Sequence, residues 1–110
     1  MKILMVCLGN ICRSPLAQGI LESKSSKLIV DSAGTANYHT GKSPDFRSVN
    51  IAKKYTIDIN NQIARQFSSL DFEKFDKIYA MDNDNYSKII SLAKSQREIN
   101  KVELILNAVS

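Results

Sequence analysis

A nine-residue stretch, CLGNICRSP from Cys7 to Pro15, constrains this chain more than any other part of its sequence. An apolar run, Ile3 to Leu8, leads directly into it, and an amphipathic segment, Pro15 to Lys24, follows it at helical spacing. A strand, a tight loop and a helix N-terminus together form an anion site, because backbone N–H groups converge there and the helix dipole favours negative charge. The field that holds such an anion also stabilises a thiolate.

Five residues separate Cys7 from Arg13, and Ser14 follows directly. This spacing lets the loop wrap a tetrahedral oxyanion while the Arg13 guanidinium binds two of its oxygens. Ser14 can donate a hydrogen bond to the Cys7 thiolate, and Asn10 tolerates the positive φ of a sharp bend. The alternative is an inert, buried Cys7 with Arg13 on the surface. The other residues of this predicted phosphate-binding loop are Leu8, Gly9, Ile11 and Cys12.

The composition narrows the class of protein. The 110 residues, 44% apolar and 24% charged, predict one globular domain over residues 1–110. A net charge of +4 without a basic run gives nucleic-acid binding little support, and no signal peptide or membrane span is recognisable, so we expect a cytoplasmic protein. The two cysteines, which lie within one six-residue window, and the single histidine, His39, predict neither a disulfide framework nor a metal site nor a cofactor.

The hydrophobic pattern predicts strands that alternate with helices. The predicted strands are Ile3–Leu8, Leu28–Val30, Asp76–Met81 and Lys101–Leu106. The predicted helices are Pro15–Lys24, Pro44–Tyr55 after a Ser43 cap, a short helix from a Ser68–Asp71 capping box to Phe75, and one from an Asp82 cap to about Ala93. We therefore expect an α/β fold, a four-stranded parallel sheet with helices on both faces and the first strand central. Ligands bind beyond the carboxyl ends of such strands, where we expect Cys7, Ser32 and Asp82.

These motifs are similar to those of the low-molecular-weight protein tyrosine phosphatases. The similarity lies in VCLGNICRSP from Val6 to Pro15, VDSAGT at 30–35, PD-x-R at 44–47, ARQ at 64–66, FD-x-I at 75–78 and MD at 81–82. The resemblance implies that Cys7 is a nucleophile that forms a phosphocysteine and that Arg13 binds the phosphoryl oxygens. It implies that Asn10, Ser14 and Ser32 hold the loop. The implied ligands are phosphotyrosine in a protein, inorganic phosphate and vanadate.

The resemblance also implies roles at the rim of the site. Tyr38 would line the wall beside the substrate ring and Asp82 would lie near the rim, although an exposed loop tyrosine and a simple helix cap remain the alternatives. Members that act on phosphoarginine tend to carry Thr at the position of Ile11, so Ile favours phosphotyrosine. Cys12 would bridge Cys7 reversibly on oxidation, or only pack in the loop.

Two departures from the family pattern matter. Gln62 stands where many relatives have a histidine that supports the loop. No Asp-Pro pair, which carries the family's general acid, occurs in the sequence, whose only prolines are Pro15 and Pro44. From the resemblance we expect a C-terminally truncated domain that lacks its final helix. An arsenate reductase of the same fold and an inactive phosphate-binding module remain the rival interpretations.

Overall fold

A computed structural model describes residues 1–9, 13–25, 27–36 and 40–105. The predictions made for Asn10, Ile11, Cys12 and Tyr38 lie outside these residues, as does the end of the predicted fourth strand at Leu106. For Arg13 only the backbone is described.

Four parallel strands form the sheet. They are β1 (Lys2–Cys7), β2 (Ile29–Gly34), β3 (Lys77–Ala80) and β4 (Val102–Leu104), in the spatial order β2-β1-β3-β4. Strand β1 pairs with β2 on one side and with β3 on the other, and its residues from Ile3 to Cys7 are all buried. The expected central position of the most apolar strand is therefore confirmed.

Helices cover both faces of the sheet, as predicted. They are α1 (Arg13–Lys24), α2 (Phe46–Lys54), α3 (Asp71–Lys74), α4 (Asn83–Leu92) and α5 (Gln96–Ile99). On one face, Leu4 and Val6 pack with Phe72 of α3 and Ile89 of α4. On the other face, a smaller apolar cluster from β1 and β2 packs against the α1 side chains Ala17 and Leu21. The carboxyl end of β1 lies at the N-terminal turn of α1, where Cys7 contacts Ser14.

The helix starts differ from the predicted ones. Helix α1 begins at Arg13 rather than Pro15, because proline is tolerated throughout the first turn, where N–H groups have no partner within the helix. Helix α2 is capped by Asp45 rather than Ser43, since the Asp45 carboxylate accepts the Arg47 N–H at 2.9 Å.

The short helices also depart from the prediction. The residue before α3 is Leu70, not Ser68, but the Asp71 carboxylate accepts the Ser68 N–H at 3.0 Å, so half of the predicted capping box exists. Helix α5 was not predicted at all. Its start is set by Ser95, whose hydroxyl accepts the Glu98 N–H at 3.2 Å.

Strand β2 is longer than predicted. Residues 31–34, which were expected to form a loop because they are small and polar, continue the strand to Gly34. They do so because each of them pairs with β1, ending with Gly34 beside Cys7. Ser32 consequently lies within the strand opposite Met5, and not beyond its carboxyl end as predicted.

Gly19 allows α1 to pack closely on the segment after α2. A Cβ atom at Gly19 would lie 2.5 Å from Cγ2 of Ile59, far inside van der Waals contact. Ile59 is buried, so room for that atom would require buried side chains to shift. The segment 57–66, whose structure the sequence left ambiguous, is therefore anchored on α1.

Within the described part of the chain, no helix is long and apolar enough to cross a membrane.

Candidate active site

The end of β1 is held by neighbouring backbone on both sides. The Thr35 N–H donates to the Cys7 carbonyl at 2.9 Å, and the Ala36 N–H donates to the Leu8 carbonyl at 2.9 Å. On the other side, the Met81 N–H donates to the Val6 carbonyl, also at 2.9 Å. The strand that carries the cysteine is thus fixed up to the point where the loop begins.

Cys7 and Ser14 come together as predicted. The Cys7 Sγ and Ser14 Oγ atoms are 3.0 Å apart, which is hydrogen-bond distance, and either atom can be the donor. Cys7 is 3% exposed, and Ser14, in the first turn of α1, is fully buried. The sulfur therefore faces the N-terminal turn of a twelve-residue helix, where the partial positive charge of the helix dipole stabilises an anion.

Ser32 lies next to α1. Its hydroxyl donates to the Gln18 Oε1 at 2.7 Å, and the Gln18 Nε2 donates to the Val30 carbonyl at 3.2 Å. These contacts fasten the middle of α1 to β2. The role predicted for Ser32 in supporting the loop stays a prediction, since most of the loop lies outside the described residues.

Gln62, at the position where the family resemblance implies a histidine, contacts the start of α1. Its Nε2 donates to the Pro15 carbonyl at 3.0 Å. The amide therefore supplies a hydrogen bond one residue after Ser14, at the turn that faces Cys7. The sequence left the support of this position open, and the geometry gives it a defined partner.

Asp82 lies two residues after β3 ends, at the carboxyl end of that strand as expected, and its role at a substrate rim stays a prediction. It is the N-cap of α4, as expected, because its Oδ1 accepts the Asn85 backbone N–H at 2.9 Å. The same oxygen accepts the Asn85 Nδ2 at 2.8 Å, and Asn85 is 2% exposed. The Asn85 Oδ1 in turn accepts the Thr35 hydroxyl at 2.9 Å. The sequence analysis missed Thr35 and Asn85; the only signal was an asparagine three residues after a capping aspartate.

An ion-pair cluster holds the segment after Gln62 beside β2. The Arg65 guanidinium contacts both Asp71 carboxylate oxygens at 3.1 Å and the Asp31 carboxylate at 3.2 Å. Burial acts to lower the pKa of Arg65, but the hydrogen bonds and charges of Asp71 and Asp31 raise that pKa above its ordinary value. The backbone then pairs with Gly34, whose N–H donates to the Arg65 carbonyl at 2.8 Å. This bridge supports the end of β2 beside Cys7.

The described residues hold no group of three or more His, Cys, Asp or Glu side chains that is able to bind a metal ion. What they do hold is a buried thiol, a hydroxyl bonded to it and the N-terminus of a helix. The fold and the site together define an α/β protein with a buried cysteine at the end of its first strand, facing the N-terminal turn of the helix that follows.

Comparisons with known proteins identify the family. Residues 2–110 match the family model described as low molecular weight phosphotyrosine protein phosphatase, and the chain belongs to that family of protein tyrosine phosphatases. It is 39% identical over 114 residues to the low molecular weight phosphotyrosine protein phosphatase of Saccharomyces cerevisiae, covering 96% of this chain and 67% of that protein.

Solved structures give the same result for the fold. A protein tyrosine phosphatase from Entamoeba histolytica, determined as a product state mimic, is 38% identical and superposes with a TM-score of 0.90 over 97% of this chain and 71% of that one. A Drosophila arginine phosphatase is 35% identical and superposes with a TM-score of 0.87, over 94% of this chain and 70% of that one. The family, the enzyme class and the parallel-sheet fold expected from the sequence are thus confirmed.

Proposed function

We propose that this chain hydrolyses phosphotyrosine in proteins through a phosphocysteine intermediate, with Cys7 as the nucleophile. The observation that carries the proposal is the 3.0 Å contact between the Cys7 Sγ and the Ser14 Oγ at a helix N-terminus. A hydroxyl in this place donates to a thiolate, and the helix dipole favours the same negative charge. Family membership supplies independent support.

The reaction has two displacement steps. The Cys7 thiolate attacks phosphorus, so that an S–P bond forms while the P–O bond to the phenol breaks. A water molecule then attacks the same phosphorus, and the thiolate leaves as inorganic phosphate forms. In both steps charge is spread over the equatorial oxygens, where the Arg13 guanidinium and the loop N–H groups would stabilise it. Ser14 assists both steps, because it stabilises the thiolate as the attacking and as the leaving group.

The phenol oxygen also needs a proton as it leaves. The sequence contains no Asp-Pro pair, so the candidates within it are Asp45 and Asp82. The side-chain and backbone hydrogen bonds from Arg47 hold the pKa of Asp45 below its ordinary value, which suits a carboxylate and not a proton donor. Asp82 accepts two hydrogen bonds from Asn85 on one oxygen, an arrangement that also suits a carboxylate.

We therefore propose that the rate at which these 110 residues cleave a phosphate ester depends on how readily its leaving group departs without a proton. A phosphate ester such as para-nitrophenyl phosphate, whose phenolate leaves without a proton, should react readily. Phosphotyrosine should react more slowly by a factor of about 10² to 10⁴, which is the usual contribution of general acid catalysis. Equal kcat/KM values for the two substrates would show that another acid serves, with Asp45 and Asp82 to be tested first.

The direct test is hydrolysis of para-nitrophenyl phosphate by the 110-residue chain. We expect activity that vanadate and inorganic phosphate inhibit competitively and that Cys7→Ser abolishes. Because serine is close in size to cysteine, Cys7→Ser should keep the circular dichroism spectrum and still bind vanadate. Full activity in Cys7→Ser would contradict the proposal, and vanadate binding without any hydrolysis would favour the inactive phosphate-binding module.

Phosphoarginine is a second candidate substrate, because a Drosophila arginine phosphatase superposes with a TM-score of 0.87. The choice of phosphotyrosine over phosphoarginine rests on Ile11, because the family resemblance associates Thr at this position with phosphoarginine. Matched peptides that carry phosphotyrosine or phosphoarginine at the same position would separate the two. A higher kcat/KM for the phosphoarginine peptide would overturn the choice.

We also propose that Cys7 and Cys12 form a reversible disulfide under mild peroxide, which would protect the nucleophile from overoxidation. Peptide mass spectrometry should find the Cys7–Cys12 bridge, and dithiothreitol should restore activity. Sulfinic acid on Cys7 with a free Cys12 thiol would refute this.

A further inference from the structure

A chain of hydrogen bonds joins the rim of the site to the strand that carries the nucleophile. It starts at the Cys7 carbonyl, which accepts the Thr35 N–H at 2.9 Å. The Thr35 hydroxyl donates to the Asn85 Oδ1 at 2.9 Å, and the Asn85 Nδ2 donates to the Asp82 Oδ1 at 2.8 Å. The side chain of Asn85 is the central link between Thr35, the residue after β2, and Asp82, the N-cap of α4.

Chemistry fixes the orientation of this carboxamide. A carboxylate only accepts hydrogen bonds, so the NH₂ group of Asn85 must face Asp82, and its oxygen is left for the Thr35 hydroxyl. The side chain is not needed to start α4, because the backbone N–H of Asn85 alone satisfies the Asp82 cap. At 2% exposure, Asn85 has no access to water as a replacement partner. The Asn85 side chain is therefore not needed for the cap, and what its carboxamide does is connect Thr35 to Asp82.

We propose that Asn85 is a positioning residue of the phosphatase, which holds Asp82 at the rim and Thr35 in fixed relation to the backbone of Cys7. The proposal rests on the phosphatase function proposed above. It assigns Asn85 no contact with the substrate. Its effect reaches the reaction through Thr35, whose N–H fixes the carbonyl of the nucleophile, and through Asp82. A displaced thiolate loses alignment with phosphorus, so the effect should fall mainly on kcat.

The first experiment replaces Asn85 with alanine. We expect kcat/KM for para-nitrophenyl phosphate to fall about tenfold, because a displacement near 1 Å costs up to about 100-fold in rate. The KM should change less than twofold. Ile89→Val is the matched control: it removes one methylene from the buried face of the same helix, so it lowers the melting temperature without touching the hydrogen-bonded chain.

The second experiment uses two variants of Thr35 and is independent of whether Asn85→Ala folds. Thr35→Val keeps the shape and removes the hydroxyl, whereas Thr35→Ser keeps the hydroxyl and removes a methyl group. If the hydrogen bonds position the nucleophile, Thr35→Val should lose about as much kcat as Asn85→Ala, and Thr35→Ser should keep most of the kcat of the unaltered chain. The double variant that combines Thr35→Val with Asn85→Ala should then be no slower than either single variant. A packing role requires the opposite order for the two Thr35 variants.

The outcomes separate this proposal from the phosphatase function. If the unaltered chain hydrolyses para-nitrophenyl phosphate in a Cys7-dependent way, and Asn85→Ala keeps its kcat while losing only thermal stability, the positioning role is refuted and the phosphatase function stands. The same holds if Ile89→Val lowers kcat as much as Asn85→Ala does. If the unaltered chain neither hydrolyses the ester nor binds vanadate, the phosphatase function itself fails, and the positioning role fails with it.

Discussion

The substitution Ser14→Ala, which removes one hydroxyl group, tests whether Ser14 stabilises the Cys7 thiolate. Ser14 is fully buried, and its Oγ lies 3.0 Å from the Cys7 Sγ. The substitution removes the oxygen alone and leaves the Cβ atom, so α1 keeps its packing. The contact between the hydroxyl and the Cys7 sulfur is lost.

The magnitude follows from the charge on sulfur. A hydrogen bond to a charged group contributes about 1.5 to 3 kcal/mol. If the bond is lost where the thiolate leaves, kcat falls by about 10- to 150-fold, since each 1.36 kcal/mol of barrier is about tenfold in rate.

Stopped-flow hydrolysis of para-nitrophenyl phosphate measures this effect. Because Ser14 assists the departure of the thiolate, Ser14→Ala should release a burst of para-nitrophenol followed by slow turnover. Ser48→Ala, which removes a buried hydroxyl from α2, is the matched control and should keep the kcat of the unaltered chain. A kcat for Ser14→Ala within twofold of the unaltered chain, or an equal loss in Ser48→Ala, would refute the reasoning.

Three further predictions concern stability. Asp71→Asn should lower the free energy of unfolding in urea by about 2 kcal/mol, because it removes the negative charge and one of the two oxygens that accept from the part-buried Arg65; an unchanged denaturation midpoint would contradict this. Gly19→Ala should destabilise by about 1 kcal/mol, since the overlap of its Cβ with Ile59 outweighs the gain in helix propensity, whereas a stabilised variant would show that α1 has room to shift. Burial, with the charge of Glu103, raises the pKa of Tyr79, so the folded phenol resists ionisation and its contribution to stability is lost as pH rises above about 10. Urea titrations from pH 8 to 11 should therefore show a steeper loss for the unaltered chain than for Tyr79→Phe, and parallel curves would contradict this.

The sheet was predictable because its pattern is local. The apolar run after Lys2 could only be a buried strand, and the alternation of strands with helices requires parallel pairing through right-handed crossovers. The contact between Cys7 and Ser14 followed from the same logic, because a strand end and the next helix start must approach each other around a tight loop. The Asp82 cap was also readable from the sequence alone.

The extent of the pairing between β2 and β1 could not be predicted from the sequence. Residues 31–34 look like a loop because small and polar residues favour turns, yet the edge of β1 offers them partners all the way to Gly34. Asn85 was missed for a related reason: its position in α4 is ordinary, and only the fold brings Thr35, 50 residues away in sequence, to its carboxamide. Contacts between distant segments decided each of these cases.

Trapping the covalent intermediate tests the central claim most directly. The 110-residue chain should be mixed with para-nitrophenyl phosphate, quenched in acid within milliseconds and digested for peptide mass spectrometry. We predict one phosphate group on Cys7, more of it in Ser14→Ala than in the unaltered chain, and none in Cys7→Ser. Steady hydrolysis with no phosphate on Cys7, or with phosphate on another residue, would contradict the account.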